Sequence, residues 1–353
     1  MTIFTSLADF LLYVAFAYLA GSVVLAFVPE DRKPEIRYSK KLLLACVAGI
    51  ALFSAAPLIE LVVFLGKGEG WITTFFTVAI ESRVGHGWLI TVFLSLVLAI
   101  AVFFKSSKFN QAYYLLLLIL VVGFFSHVST IDLWPGFVYH SIHFLFMAMW
   151  SGVLLHVAWF SKDGTNWPRF LAWFTPFAIV CFIGLIASGV LIMVVFVDPS
   201  DYASSWALPY GQMLLLKHLS IVPLLMAAFI NGFLNKRRAF EKMWLKVESL
   251  LVLCVFLFTA FMSKQAPPHN INNTFLTEGA APLVKLLKGD QFIPIEAVLE
   301  WSSNGMMLLA MGLVFLGMML LGNYRRVSSW LLFLFGLAFI VVVYIGLMMN
   351  VSF

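Results

Sequence analysis

The stretch YHSIHFLFMAMWSGVLLH, from Tyr139 to His156, decides the fold class. It contains no Asp, Glu, Lys or Arg, yet it carries three histidines. About 20 predominantly apolar residues are enough for an α-helix to cross the hydrocarbon core of a bilayer. The stretch and its flanks therefore predict a transmembrane helix over 136–160, and the histidines inside it require a separate explanation.

The rest of the chain has the same composition. Hydrophobic residues make up 62% and charged residues 11%, whereas a typical soluble domain has roughly 25% charged residues. No segment shows the alternating pattern of a membrane β-barrel strand. We therefore predict an all-α, polytopic transmembrane helical bundle with about ten spanning helices. The predicted helices are 4–28, 40–65, 83–104, 111–129, 136–160, 169–197, 209–234, 245–264, 300–322 and 327–349.

The positions of the basic residues predict the orientation of this bundle. Of the 22 lysines and arginines, sixteen fall at the connections after the first, third, fifth, seventh and ninth predicted helices. Five fall at the alternate connections, and Lys217 lies within the seventh helix. Cytoplasmic loops are enriched in Lys and Arg, so we predict that both termini are extracytoplasmic. The net charge of +5 then reflects membrane topology, and no nucleic-acid partner is expected.

Three regions are predicted along the chain. Residues 1–264 form a core of eight helices, 265–299 form an extracytoplasmic loop, and 300–353 form an appended segment of two helices. The APLVKLLKG stretch of the loop predicts a short helix on the membrane surface. The cysteines Cys46, Cys181 and Cys254 lie in three different predicted helices without CxxC spacing, so we interpret them as small buried hydrophobes.

The histidines cluster in depth. Given the predicted orientation, six of the seven lie toward the extracytoplasmic side, and only His156 lies toward the inner side. His140 and His143 are three residues apart and share a helix face, which Met147 extends by one turn. Imidazole nitrogen and thioether sulfur suit copper, and ionisable residues in membrane spans usually face the bundle interior. The outer histidines are His86, His127, His140, His143, His218 and His269.

These observations predict an outer copper site. Its candidate ligands are His127, His143, His140, His86, Met147 and His218. His156 follows His143 by about 20 Å along the same helix, so it cannot share that site, and we interpret it as a packed residue. The sequence carries no HExxH, GxSxG, Walker or Rossmann motif, so no enzymatic activity is predicted.

Several motifs in order resemble a known family. They are FFSHVST at the end of the fourth helix, HSIHFLFMAMWSGVLLH in the fifth, YGQMLLLKH and FINGF in the seventh, and VESLLVLCVFLFTAFMSKQAPP in the eighth. Together they resemble the copper resistance protein D (CopD) family of bacterial inner-membrane proteins, from about the second to the eighth helix. The family's histidines correspond to His127 and His143, whereas the last two helices are not part of its pattern.

The resemblance implies a copper-binding protein of the bacterial cytoplasmic membrane that transports copper, inward in the usual account. It also implies a separate extracytoplasmic copper-binding protein as a partner. Membrane lipid is the other expected partner. Two other interpretations stay open at this point. One is a haem-binding membrane electron-transfer protein, in which two histidines from different helices ligate the iron. The other is a copper-delivery factor for oxidase assembly, which would share the outer site and lack a path through the membrane.

Overall fold

Long apolar helices connected by short loops make up the computed structural model, which describes residues 2–66, 70–234, 240, 242–267, 270–289, 296–325 and 327–353. The α-helices are α1 (Thr2–Phe27), α2 (Lys40–Phe53), α3 (Ala56–Leu65), α4 (Trp71–Glu81), α5 (Arg83–Phe103), α6 (Lys108–Phe124), α7 (Val128–Ile131), α8 (Leu133–Leu155), α9 (Trp167–Phe196), α10 (Pro209–Phe229), α11 (Lys242–Met262), α12 (Ile271–Glu278), α13 (Pro282–Lys288), α14 (Ser303–Arg325) and α15 (Ser329–Met349). π-helical turns at His156–Phe160 and Ile230–Leu234 extend α8 and α10.

The predicted fold class is confirmed. Within the described ranges, nine helical segments are long and apolar enough to cross a membrane. The tenth predicted span corresponds to α6, which has only 17 residues. The two described strands, β1 (Val298–Leu299) and β2 (Val351–Ser352), pair antiparallel. The chain is a multi-pass membrane protein. Its orientation in the membrane stays a prediction. Some of the basic residues used for that prediction lie outside the described ranges, as does His269; they are Lys67, Lys236, Arg237, Arg238 and Arg326.

Three local features differ from the predicted helices. The second helix is interrupted at Ser54 and Ala55, just before Pro57, because proline has no N–H to continue the helical hydrogen bonds. The fourth helix ends at Phe124 rather than at 129. The hydroxyls of Ser126 and Ser129 donate to the Gly123 carbonyl at 2.8 and 2.6 Å, so side chains satisfy a carbonyl near the helix end. Helix α4 was not predicted, because its 11 residues are too few for a span.

Two compact units divide the described chain, Met1–Val195 (unit 1) and Phe196–Phe353 (unit 2). This division falls inside the predicted eight-helix core, so it does not follow the boundaries at 264 and 299. In unit 2, Gly336 of α15 lies against Leu251 of α11, Pro223 of α10 and Met319 of α14. The last two helices are therefore packed within unit 2.

In unit 1, α1 and α8 are the central pair. They run in the same direction, since Phe16 contacts Phe144 and, further along both helices, Gly21 contacts Gly152. A Cβ added at Gly152 would lie 2.0 Å from the carbonyl oxygen of Ala17. Small residues four apart on each helix, with Ala148 completing the set, let the two backbones approach closely, as in many membrane helix pairs. This contact fixes the depth of every α8 side chain relative to α1.

Polar contacts between loops define one end of unit 1. Lys162 forms an ion pair with Glu35, and Arg169 Nη1 lies 3.4 Å from Asp31 Oδ2. Lys108 Nζ donates to the Ala26 carbonyl at 3.4 Å. All three contacts join connections that the sequence assigns to the cytoplasmic side. The connections of unit 1 that are predicted to be cytoplasmic therefore lie at the same end of the unit.

Candidate metal-binding site

The opposite end of unit 1 carries the predicted outer histidines of this unit. A Cβ at Gly87 would lie 2.7 Å from the Phe125 ring, so the start of α5 packs on the end of α6. A Cβ at Gly136 would lie 2.5 Å from the Val128 carbonyl oxygen, so α7 packs on the start of α8. Arg83 joins the same end by donating to the Phe124 carbonyl at 2.6 Å. These contacts bring the segments that carry His86, His127, His140 and His143 to one end.

His86 and His127 are exposed at this end. His86 Nε2 lies 2.5 Å from the Ile80 carbonyl oxygen. A carbonyl oxygen only accepts, so Nε2 donates and Nδ1 carries the lone pair of the neutral ring. His127 lies in the connection between α6 and α7, rather than on the fourth helix as the sequence predicted. Both residues are therefore exposed at the end of unit 1 that the sequence predicts to be extracytoplasmic.

His143 is held by α9. Its Nδ1 lies 3.1 Å from Ser188 Oγ, and the Ser188 hydroxyl donates to the Gly184 carbonyl at 2.6 Å. Because that hydroxyl has a single proton, its oxygen accepts from the Nδ1–H of His143. The lone pair of the neutral imidazole is then on Nε2. Metal-ligating histidines generally use one nitrogen for such an orienting hydrogen bond and the other for the metal.

His140 turns toward α1 instead. Its ring stacks on Phe144 at a centroid distance of 6.2 Å, and Phe144 contacts Tyr13 and Phe16 of α1 at 5.8 and 5.0 Å. The parallel register of α1 and α8 places Asp9, which is 8% exposed, on the level of His140. The two histidines predicted to share a face therefore lie on one face at neighbouring depths, but their rings pack against different helices.

Met147 continues this face by one turn. It is half-buried, and the Ser151 hydroxyl donates to its carbonyl at 2.5 Å and lies 3.9 Å from its Sδ. The thioether sulfur is thus within the span, four residues beyond His143. Met147 therefore lies one turn beyond His143 on α8, and its role as a ligand stays a prediction.

His218 belongs to unit 2, whereas the other five candidate ligands belong to unit 1. Its Nδ1 lies 2.7 Å from the hydroxyl of Tyr202. Burial raises the pKa of Tyr202 to about 12, so this hydroxyl keeps its proton near neutral pH. A metal bound by His218 Nδ1 would have to displace that hydrogen bond.

The histidines do not form a closed coordination sphere in this arrangement. Among the residues that the structure describes, no three His, Cys, Asp or Glu side chains are grouped closely enough to hold a metal ion. The imidazole rings on α5, on α8 and in the connection between α6 and α7 would have to change rotamer to meet at one ion. The predicted ligand set therefore stays a prediction, and copper is written below as cargo.

Sequence reasoning missed one buried polar feature. Glu248 on α11 is 3% exposed within an apolar span, and Asn231 Nδ2 donates to its Oε2 at 2.6 Å. His156, which the sequence analysis interprets as a packed residue, is completely buried just after α8. The sequence did contain a signal for Glu248 and Asn231, because they lie in the VESLL and FINGF motifs. A single acidic residue in a membrane segment is costly and usually functional.

Comparison with protein families gives one match. Residues 168–262 match the family model described as Copper resistance protein D. The resemblance to the CopD family is confirmed over this segment. The match covers most of α9, and all of α10 and α11, and so includes His218, Asn231 and Glu248. It does not include His86, His127, His140, His143 or Met147. Comparisons with curated proteins and with solved structures found no match.

Proposed function

We propose that this protein binds copper and carries it inward across the cytoplasmic membrane of a bacterium. The observation that carries the proposal is the CopD match over residues 168–262, in a chain whose described helices include nine candidate membrane spans. CopD is a family of membrane copper resistance and transport proteins. Copper suits the imidazole and thioether groups of the outer end of unit 1. The proposed role is transport rather than catalysis.

Capture begins in this proposal at the exposed imidazoles of His86 and His127. Transfer to His143 and His140 would bring the ion into the half-buried part of α8, where Met147 provides the next soft donor. His143 supports this role because Ser188 fixes its tautomer with Nε2 as the lone-pair nitrogen. His218 in unit 2 is a further candidate ligand, and a metal on its Nδ1 would replace its bond to Tyr202. A separate extracytoplasmic copper-binding protein would supply the ion.

The test is copper uptake by vesicles that contain the purified protein, combined with metal analysis and a visible absorbance spectrum. We expect bound copper, uptake above that of protein-free vesicles, and no Soret band. A strong Soret band with little copper would favour the haem-binding electron-transfer alternative. Copper binding without uptake would favour a delivery factor for oxidase assembly.

A further inference from the structure

The inner end of unit 1 holds a histidine in an unusual environment. His156 is 0% exposed and begins the π-helical turn His156–Phe160. Its ring packs against the Tyr18 ring, with the centroids 4.3 Å apart and the ring planes tilted by 32°. A Cβ added at Gly21 would lie 2.7 Å from His156 Cδ2, so only glycine leaves room for the imidazole. The ring position is fixed by the central contact between α1 and α8.

One hydrogen bond assigns the tautomer of this ring. His156 Nε2 lies 2.8 Å from the Tyr18 carbonyl oxygen. The carbonyl only accepts, so Nε2 carries the proton and Nδ1 carries the lone pair of the neutral imidazole. Among the described residues, Nδ1 is buried and has no hydrogen-bond partner. Buried acceptors without a partner are rare because they are costly, and the geometry is that of a metal-ligating histidine with its second nitrogen bonded to a backbone carbonyl.

A soft donor lies in the same neighbourhood. Cys46 of α2 packs against the buried core cluster that includes Leu19 and Ala20 of α1, and these residues follow Tyr18, whose ring contacts His156. Tyr38 closes another side, with its ring centroid 5.7 Å from that of His156. The Tyr18 hydroxyl is itself buried without a partner in the described part of the chain. The imidazole of His156 thus contacts two phenol rings, and the thiol of Cys46 lies on the helix that packs against the same part of α1.

We propose that His156 Nδ1 and Cys46 Sγ form a second, inner copper site that takes Cu(I). Thiolate and imidazole are suitable donors for this soft ion, and binding would release the Cys46 thiol proton. His156 lies about 20 Å from His143 along the helix axis, so the two sites are separate steps of one path. The inference rests on the proposed function, because it takes copper as the cargo, and it supplies a residue pair for the cytoplasmic half of the path.

The experiment compares Cu(I) stoichiometry in the purified full-length protein, titrated against a chromogenic Cu(I) chelator. Cys46→Ala removes the thiolate. His156→Gln keeps an amide N–H for the Tyr18 carbonyl but removes the imidazole lone pair. Cys254→Ala is the matched control, since it makes the same change in α11. We expect Cys46→Ala and His156→Gln each to bind one Cu(I) fewer than the wild type, and Cys254→Ala to bind as the wild type does.

Each of the two variants decides the question by itself, so one that fails to fold in a thermal unfolding control leaves the other as the test. Wild-type stoichiometry in a folded Cys46→Ala or His156→Gln protein would overturn the inner site and leave the proposed function standing. A wild type that binds no copper would overturn both. Loss of outer binding in the His127→Ala, His143→Ala double variant with the inner Cu(I) retained would support two separate sites.

Discussion

Individual side chains carry the chemistry, and their orientation depends on partners distant in sequence. The spacing of His140 and His143 predicted a shared helix face, which is what α8 provides. It did not predict that His143 bonds to Ser188 of α9 while His140 stacks on Phe144 toward α1. His143 and Ser188 are 45 positions apart in the chain and meet only through helix packing. A single sequence contains no measure of such neighbours, so ring directions could not be predicted.

Ser188 tests the assigned tautomer of His143. Ser188→Ala removes the oxygen that accepts from Nδ1–H, so both tautomers become accessible and the ring loses its anchor. Loss of such an orienting partner typically lowers metal affinity by about 10–100-fold, and we expect a decrease of that order in a copper titration. Ser220→Ala is the control, because the Ser220 hydroxyl donates to the Leu216 carbonyl of its own helix. Equal copper affinity for wild type and Ser188→Ala would contradict the assignment.

Glu248 offers a separate test in unit 2. Glu248→Gln keeps an oxygen that can accept from Asn231, whereas Glu248→Ala leaves that buried amide without its acceptor, a loss of about 1–3 kcal/mol. We therefore expect thermal unfolding near the wild-type temperature for Glu248→Gln and clearly lower for Glu248→Ala. Because buried acidic residues in spans are usually functional, copper uptake by vesicles should fall in both variants. Full uptake by Glu248→Gln would show that the carboxylate has only a structural role.

At the scale of helices, the sequence was more informative. Hydropathy located the nine described helical segments that are long enough to cross a membrane, and also the shorter α6, because a membrane span is set by length and composition. Interruptions within the predicted helices were harder to predict, although Pro57 is a signal for the break between α2 and α3. The end of α6 at Phe124 depends on hydroxyl groups that bond to the Gly123 carbonyl. Helix α4 gave no hydropathy signal of sufficient length. Because α6 ends at Phe124, His127 lies beyond the helix rather than on it, as the sequence had predicted.

The close contact between α1 and α8 makes Gly152 sensitive to substitution. Gly152→Ala would place a Cβ 2.0 Å from the Ala17 carbonyl oxygen, and such overpacking typically costs about 1–3 kcal/mol. Gly317→Ala is the control, since a Cβ there meets nothing within 4 Å, and alanine favours a helix over glycine by about 1 kcal/mol. Thermal unfolding in detergent should decrease for the first variant and hold or increase for the second. The same direction for both would contradict the packing described.

For the whole molecule, the basic residues predicted the orientation, and the loop contacts of unit 1 are consistent with it. The predicted regions 1–264, 265–299 and 300–353 stay a prediction. The contact of α15 with α10 and α11 depends on packing between segments far apart in the chain. The histidine depth pattern also needs the whole topology, since depth has meaning only once each helix has a direction. His218 shows the limit of that approach, because a predicted depth does not say to which compact unit a histidine belongs.

Cysteine labelling tests the topology. Thr165→Cys lies in the connection between α8 and α9, which is predicted to be cytoplasmic, and Asn272→Cys lies on α12, which is predicted to be extracytoplasmic. Both positions are exposed. In intact cells, an impermeant maleimide should label Asn272→Cys and should label Thr165→Cys only after lysis. The reverse pattern would invert the orientation and would move the outer histidines to the cytoplasmic side.

The central claim is that outer histidines bind copper as neutral imidazoles, and a copper titration tests it most directly. The proteins are the wild type, His127→Ala, His143→Ala and His156→Ala, at about pH 7.5 and about pH 5.5, on either side of the ordinary imidazole pKa of about 6.5. We predict that His127→Ala and His143→Ala each weaken the outer binding step by about tenfold or more, equivalent to about 1.4 kcal/mol. His156→Ala should leave that step unchanged.

Wild-type binding should weaken at the lower pH, because protonated imidazole cannot ligate a metal. Wild-type affinity in both His127→Ala and His143→Ala, with no pH dependence, would contradict the outer histidine site.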